Sequence, residues 1–490
     1  MKSRQHVRSS KKKGRKAKKK APQASVEDLL TAASAAMESL DVERAYQSYY
    51  KAASLLQREK TIANADKRQE LRVLIHVLEK MGECQVSIGD QDRAKEHFLQ
   101  CLRLLEEDEK IDAAKTTSYY ETHSGLCFYV GQLSLEKEAL EAYQKGIRSL
   151  EECMQRVEVN ENSATATKPE TTVAMQDDTE DVDTNNNDDD GSSMRTDANS
   201  SSSTTTTTTS SGLQFQKLLK QKLSGAYCNL AELYLTDLCE EEKAESDCEQ
   251  YLEKALQLKD DDGEPLVDAL QTMASLRLSQ TERQLEAVPF VLRAYEKQRV
   301  GSEALATLVG LNIDKKKPCD AGSNGGDKVQ EQVQAQELLE VEAANDLPEF
   351  EFRCQTAKLL LECAGLLKES SNSSMEDSSD QEDECITAAI SVLGSLLAQN
   401  DEVIEIWYLT GCAFAAKTPA LTDTARFYLE RAKEMLADIQ KALKDEEHYV
   451  DDSERPELEE QLEMNATQMI DVQSKLDGLP DELEDGMEED

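Results

Sequence analysis

Residues Glu79–Leu105 read EKMGECQVSIGDQDRAKEHFLQCLRLL, and the spacing of their small and large side chains decides the fold. Gly82 is followed after twelve residues by Ala94, four later by Phe98 and three later by Cys101. The same offsets recur in LLTAASAAMESLDVERAYQSYYKAASLL (Leu29–Leu56), through Ala33, Ala45, Tyr49 and Ala52. They recur again in ETHSGLCFYVGQLSLEKEALEAYQKGIRSL (Glu121–Leu150), through Cys127, Ala139, Tyr143 and Gly146. A small residue in one helix lets a second helix approach closely. A second small residue opens the facing helix, and a large one a turn later fills the groove between them. Each copy therefore predicts a helical hairpin.

Related units follow downstream. YCNLAELYLTDLCEEEKAESDCEQYLEKALQL carries Leu230, Ala231 and Tyr234, then Cys248, Leu252 and Ala255 after a lengthened turn. ALQTMASLRLSQ and EAVPFVLRAYE carry Ala274, Ala287, Val291 and Ala294, with Pro289 expected to kink or shorten the second helix. RCQTAKLLLECAGLLKE and CITAAISVLGSLLAQ form a more degenerate apolar pair. WYLTGCAFAAK places Trp407, Gly411 and Phe414, and ARFYLERAKEML supplies Ala425, Leu429 and Ala432. In these residues the chain resembles the tetratricopeptide-repeat family, which implies an all-α superhelical solenoid whose first helices line a groove. Ala45 to Ala94 spans 49 residues and Ala94 to Ala139 spans 45, against a family period of about 34, so the solenoid is expected to be irregular.

Composition agrees with helices. The 490 residues are 39% hydrophobic and only 5% aromatic, and Ala, Leu, Glu, Lys and Gln dominate. Periodicity fails over 155–212, a Ser, Thr, Asn and Asp tract that lacks the apolar residues to offset its own ordering entropy. The domain reading is thus a basic disordered arm over 1–24, repeats over 25–154, a disordered insertion over 155–212, further repeats over 213–444 and an acidic tail over 445–490, with a helix expected near Pro456–Leu476. Twelve cysteines stand singly with no CxxC pair, which reads as small buried hydrophobes in a reducing compartment. No 18-residue apolar run is present, so neither secretion nor a membrane span is expected.

Charge divides the chain unevenly. The formal net charge is -42, yet residues 1–20 hold 11 of the 56 Lys and Arg and no Asp or Glu. The remainder sets 45 cations against 98 acids, a body suited to a cationic protein and repellent to nucleic acid. The cluster Lys11, Lys12, Lys13, Arg15, Lys16, Lys18, Lys19 and Lys20 reads as a nuclear-import signal, which predicts an import receptor as partner and shuttling between nucleus and cytoplasm.

Motifs for catalysis are absent: no GxxxxGK[ST], GxSxG, HExxH or dinucleotide fingerprint occurs, and the five histidines do not cluster. No enzyme activity, cofactor or metal is expected. Three binding classes fit a scaffold of this kind. A clamp for acidic chaperone tails needs Lys and Asn on the first groove helices, where Leu30 and Ser34 stand instead. A histone chaperone would use an acidic insertion such as MQDDTEDVDTNNNDDD, but that tract falls between repeats. The third class carries the closest likeness: EKMGECQVSIGD, DALQTMASLRLSQ, EFRCQTAKLLLEC and IWYLTGCAF, in that order, look like the fungal-type assembly chaperones of the large-subunit ribosomal protein L-four. The resemblance covers about Val26 to Leu443 and implies a basic ribosomal-protein client, captured during translation and escorted to the nucleus, with neither nucleic acid nor membrane bound directly. Repeat geometry nominates Gln85, Asn229, Glu232, Tyr408 and Thr410 as groove residues.

Overall fold

The computed structural model describes residues 24–59, 67–111, 116–165, 206–311, 341–371, 376–446 and 455–480. The chain divides into two compact units, Met1–Gln176 and Asp177–Asp490. Among the described residues every regular element is helical, apart from one isolated bridge between Lys259 and Pro265.

The first unit is three hairpins: α1 (Val26–Glu38) with α2 (Val42–Glu59), α3 (Lys67–Ile88) with α4 (Gln91–Ile111), and α5 (Thr117–Gln132) with α6 (Glu136–Thr165). Each helix packs on the next in sequence. Starts are set locally. Ser25 and Asp28 form a capping box at α1, with Asp28 N donating to Ser25 Oγ at 3.1 Å and Ser25 N to Asp28 Oδ2 at 3.0 Å. Asp41 and Asp90 cap α2 and α4 by accepting from Arg44 N and Arg93 N at 3.1 and 3.2 Å.

The interlock is visible atom by atom. A Cβ on Gly82 would stand 2.6 Å from the ring of Phe98, and one on Gly146 would meet Phe128. Phe98 in turn stacks on Tyr129 of the next hairpin, ring centroids 4.6 Å apart and planes within 7°. Ala33, Ala45, Tyr49, Ala52, Ala94, Cys101, Cys127, Ala139 and Tyr143 are all buried around these contacts.

The second unit contains α7 (Thr206–Leu235), α8 (Ala244–Gln257), α9 (Val267–Ser279), α10 (Ala287–Leu308), α11 (Phe350–Ser371), α12 (Glu376–Gln399), α13 (Ile404–Ala416), α14 (Thr422–Glu446) and α15 (Arg455–Asp477). Hairpins α7/α8, α9/α10, α11/α12 and α13/α14 repeat the arrangement, and α15 packs on α14. Ala231, Tyr234, Phe414 and Ala425 are buried, and Trp407 is half-buried with its indole N–H on the Asp401 carbonyl at 2.7 Å. Gly411 makes room for Leu429, whose Cγ would lie 2.6 Å from an added Cβ. The degenerate pair α11/α12 sits in the largest buried cluster of this unit, with Leu360, Cys363, Ile386 and Leu393 in its core.

Three sequence expectations shift. Helix α6 continues to Thr165 and α7 starts at Thr206, so both margins of the tract expected over 155–212 are helical, because extending a formed helix fixes one residue per hydrogen bond. Pro289 causes no kink: a short 3-10 turn over Gln284–Glu286 precedes α10, which places the proline in its first turn, where a missing N–H leaves no bond unmade. The tail helix α15 is integral, burying Leu458, Val472 and Leu476 against α13 and α14. Of the eleven described cysteines nine are buried, and Cys319 lies outside the described residues.

Substituting Gly82 with Ala should cost about 1–3 kcal/mol, because the Phe98 ring is fully enclosed and has nowhere to retreat. Urea unfolding checks this against Gly125→Ala, which meets nothing within 4 Å and should stabilise by up to about 1 kcal/mol.

Candidate functional site

In the second unit the first helices of successive hairpins, α7, α9, α11 and α13, each touch the next. Where α7 meets α9 they share a face, on which the Asp268 charge reaches Glu232. On α7 that face carries Asn229, half-buried, and Glu232, which solvent reaches. On α9 it carries Asp268, partly buried in the first turn; Thr272, one turn on, is buried, its hydroxyl donating to the Asp268 carbonyl at 3.0 Å.

Burial pushes the Asp268 carboxyl above its ordinary value, and burial together with the Asp268 charge does the same to Glu232. Beneath them the Cys228 thiol is pushed up to about 12, by burial first and then by the charges of Asp268 and Glu232. Three groups thus report one local field, negative and poorly solvated. Among the described residues no Lys or Arg bonds to either carboxylate, although acids elsewhere are matched. Lys80 holds both Glu83 oxygens at 2.9 and 2.7 Å, Lys297 holds Asp262 at 2.8 Å and Lys358 holds Glu405 at 2.8 Å. Arg277 and Arg283 converge on Glu249, whose carboxyl lies below its usual range despite the burial around it, because hydrogen bonds from both guanidiniums outweigh that burial.

The nominated groove residues separate accordingly. Asn229 and Glu232 lie on the open face. Gln85 and Thr410 do not: both are buried, and the Thr410 hydroxyl bonds back to the Ile406 carbonyl at 2.7 Å. The reason is register. The open positions lie two before and one after the small packing residue, as Asn229 and Glu232 do around Ala231, whereas Gln85 stands three after Gly82 and Thr410 one before Gly411. Tyr408 is covered by the chain itself, its hydroxyl donating to Asp471 Oδ2 of α15 at 2.5 Å. Asp268 escaped the sequence reading; it lies one helical turn before Thr272, which stands two before Ala274 and is itself buried, so the step from the packing residue does not reach it. The import cluster from Lys11 to Lys20 lies outside the described residues. Among the described residues no group of His, Cys, Asp and Glu is placed to hold a metal ion, and no helix is long and apolar enough to cross a membrane.

Fold and face together define a class: an all-α protein of stacked helical hairpins that presents unpaired carboxylates on the face of its first helices. No protein-family model matches the chain. The chain is similar to the "Probable assembly chaperone of rpl4" of Schizosaccharomyces pombe (strain 972 / ATCC 24843), 27% identical over 218 residues that make up 44% of this chain. The match spans 46%, just under half, of that relative's length. Among solved structures it is similar to "Assembly Chaperone of RpL4 (Acl4) (Residues 1-338)", 17% identical, covering 80% of this chain and 95% of that one at a TM-score of 0.44. A "Circular tandem repeat protein with novel repeat topology and enhanced subunit contact surfaces" aligns over 92% of this chain and 96% of its own at 13% identity and a TM-score of 0.22.

A raised carboxyl pKa gives a signed expectation. Such a group adds stability that is fully present below its unfolded value and is lost as pH rises through the higher folded value. The wild-type chain should therefore gain stability relative to Glu232→Gln/Asp268→Asn as pH falls toward 4, starting above the ordinary values of 4.5 and 3.8. Urea titrations of both proteins at stepped pH check it.

Proposed function

We propose that this chain is a dedicated chaperone of the large-subunit ribosomal protein L-four, holding the newly made protein, shielding its basic loop and escorting it to the nucleus. The observation that carries the reading is the 218-residue similarity to a chaperone named for that client. Charge supports it: outside residues 1–20 the chain has 98 acids against 45 cations.

The pair Glu232 and Asp268 suits the same role. A carboxylate already stripped of part of its water, with no cation beside it, gains more from an arriving guanidinium or ammonium than a fully hydrated one does. The desolvation is already present before the client arrives, so the encounter recovers Coulomb energy with less further loss. An extended basic segment would make many such contacts, each weak alone. Ribosomal RNA, a denser polyanion, would compete for the same cations and drive release. The basic cluster Lys11–Lys20 would then serve as the import address, recognised by an import receptor and kept apart from the acidic body.

Three experiments test the reading. Purifying the tagged chain from translating cells and sequencing the associated messenger RNA should enrich the ribosomal protein L-four message; enrichment of histone messages, or of no basic client, overturns it. Affinity for the purified client should fall on the order of tenfold between 50 and 300 mM salt, and further in Glu232→Gln/Asp268→Asn. Deleting residues 1–20 should leave that affinity within about twofold while reducing nuclear accumulation scored by fluorescence; unchanged nuclear levels refute the import role.

A further inference from the structure

The hairpin tips of the first unit break local rules in a way that packing does not explain. Because α1 to α6 run alternately up and down, each on the next, the three tips between paired helices emerge at one end of this unit. In the middle tip the backbone is built from the residues its geometry favours. Gly89 takes the left-handed conformation after α3, with φ 89°, and Asp90 caps α4 through Arg93 N.

The other two tips replace those residues with leucine. Leu40 occupies the position of Gly89, where it adopts φ 58°, a conformation in which an L side chain is strained and glycine is not. Leu135 occupies the position of Asp90 and Asp41: the Ala139 N–H donates to its carbonyl as the Ala94 N–H does to Asp90 and the Ala45 N–H to Asp41. It has no side-chain oxygen to offer, so the Glu138 N–H falls back on the Leu135 carbonyl at 3.2 Å. Neither leucine is compensated by burial, for Leu40 is 86% exposed and Leu135 77%. At the middle tip the aliphatic role passes to Val86 and Ile88, both also exposed. Glu136 beside Leu135 is strained as well, at φ 46°; of these three departures from local rules two expose an aliphatic side chain and one an acid, which signals a contact made outside the chain.

The rim states what that contact is. Glu38, Asp41, Glu43, Asp92 and Glu136 stand in and beside the tips, outnumbering Arg44, Arg93 and Lys137 there, and no ion pair among the described residues holds any of the five. Two copies of such an edge would repel, which argues against self-association. The basic arm over 1–20 offers only Met1 and Val7 as sizeable aliphatic side chains, too few for three tips. Neighbouring helices lie about 8–10 Å apart, which puts successive tips roughly 10–20 Å from one another, and a helix of about 20 residues covers ~30 Å at 1.5 Å per residue. We infer that this end of the first unit docks a basic amphipathic helix of a partner protein, its aliphatic stripe on Leu40, Ile88 and Leu135 and its flanking Lys and Arg on the acidic rim.

The test uses the full chain and a fluorescent 21-residue helical peptide with leucines on one face and Lys and Arg on the others, beside a scrambled peptide of equal composition. Leu40→Gly/Leu135→Ser restores the turn residues without changing charge, so its melting temperature should equal or exceed that of the wild type. Its Kd for the amphipathic peptide should rise tenfold or more, and the wild type should prefer that peptide to the scrambled one by a similar ratio. Equal Kd values for wild type and variant overturn the inference, as does equal binding of the two peptides. A wild type that dimerises in light scattering while the variant is monomeric overturns it too, since the edge is then covered by a second copy. Should the paired substitution lower the melting temperature, Ile88→Ser, which leaves both leucine tips untouched, decides by the same ratio.

Discussion

The contact on which the rest depends is an absent side chain facing an aromatic ring. Gly82 carries no Cβ, Phe98 fills the space it leaves, and the far face of Phe98 stacks on Tyr129 of the following hairpin. One ring thus joins the two helices of its own hairpin and couples that hairpin to the next, which is how a linear array of two-helix units, each unable to bury its apolar stripe alone, acquires a continuous core. The pairing of Gly146 with Phe128 and of Gly411 with Leu429 repeats the solution with different partners. Since the interlock constrains only the small and large positions, the outward residues are free to vary, and function is written there.

That division explains what could be read from the sequence. The offsets from Ala33, Gly82 and Cys127 reached the hairpins because helix packing fixes spacing, and spacing is visible in one dimension. The open face was harder, since it lies a fixed step from the packing residue, and an error of one or two positions turns a side chain inward. Beside Ala231, Asn229 is half-buried and Glu232 exposed, whereas Gln85 and Thr410 are buried. Tyr408 illustrates a different limit: its position on α13 is open until α15 arrives some sixty residues later and puts Asp471 on its hydroxyl. Pro289 was legible as a residue that interrupts helices but not as one that begins one, because the preceding 3-10 turn has no periodic signature.

The helix α15 has a structural logic of its own. A solenoid must end, and its last hairpin would otherwise expose the apolar face that the next repeat would have covered. Val472 and Leu476 cover Leu429 and Leu436, and Asn465 donates to the Leu436 carbonyl at 3.2 Å. The acidic tail over 445–490 is therefore part fold and part charge, and its helix removes α13 from the open face rather than extending that face.

Electrostatics separates structural acids from available ones more sharply than net charge does. In a chain of formal charge -42 most carboxylates are simply hydrated, and those in ion pairs are already committed: Glu249 is gripped by two arginines, and Asp262 and Glu264 are held across the α8–α9 connection by Lys297 and Arg293. Breaking such a pair to engage a partner exchanges one cation for another and gains little. Glu232 and Asp268 differ from both kinds. Among the described residues neither is in an ion pair, and burial raises both carboxyl pKa values, Asp268 being partly buried while solvent still reaches Glu232. The same reasoning applies at the hairpin tips in apolar form, where Leu40 and Leu135 leave unfavourable backbone and solvent contacts that a partner could relieve. Under the two proposals each place pairs an unfavourable feature of the fold with the partner that relieves it, which is the arrangement expected of a surface selected for binding and not for the stability of the protein that carries it.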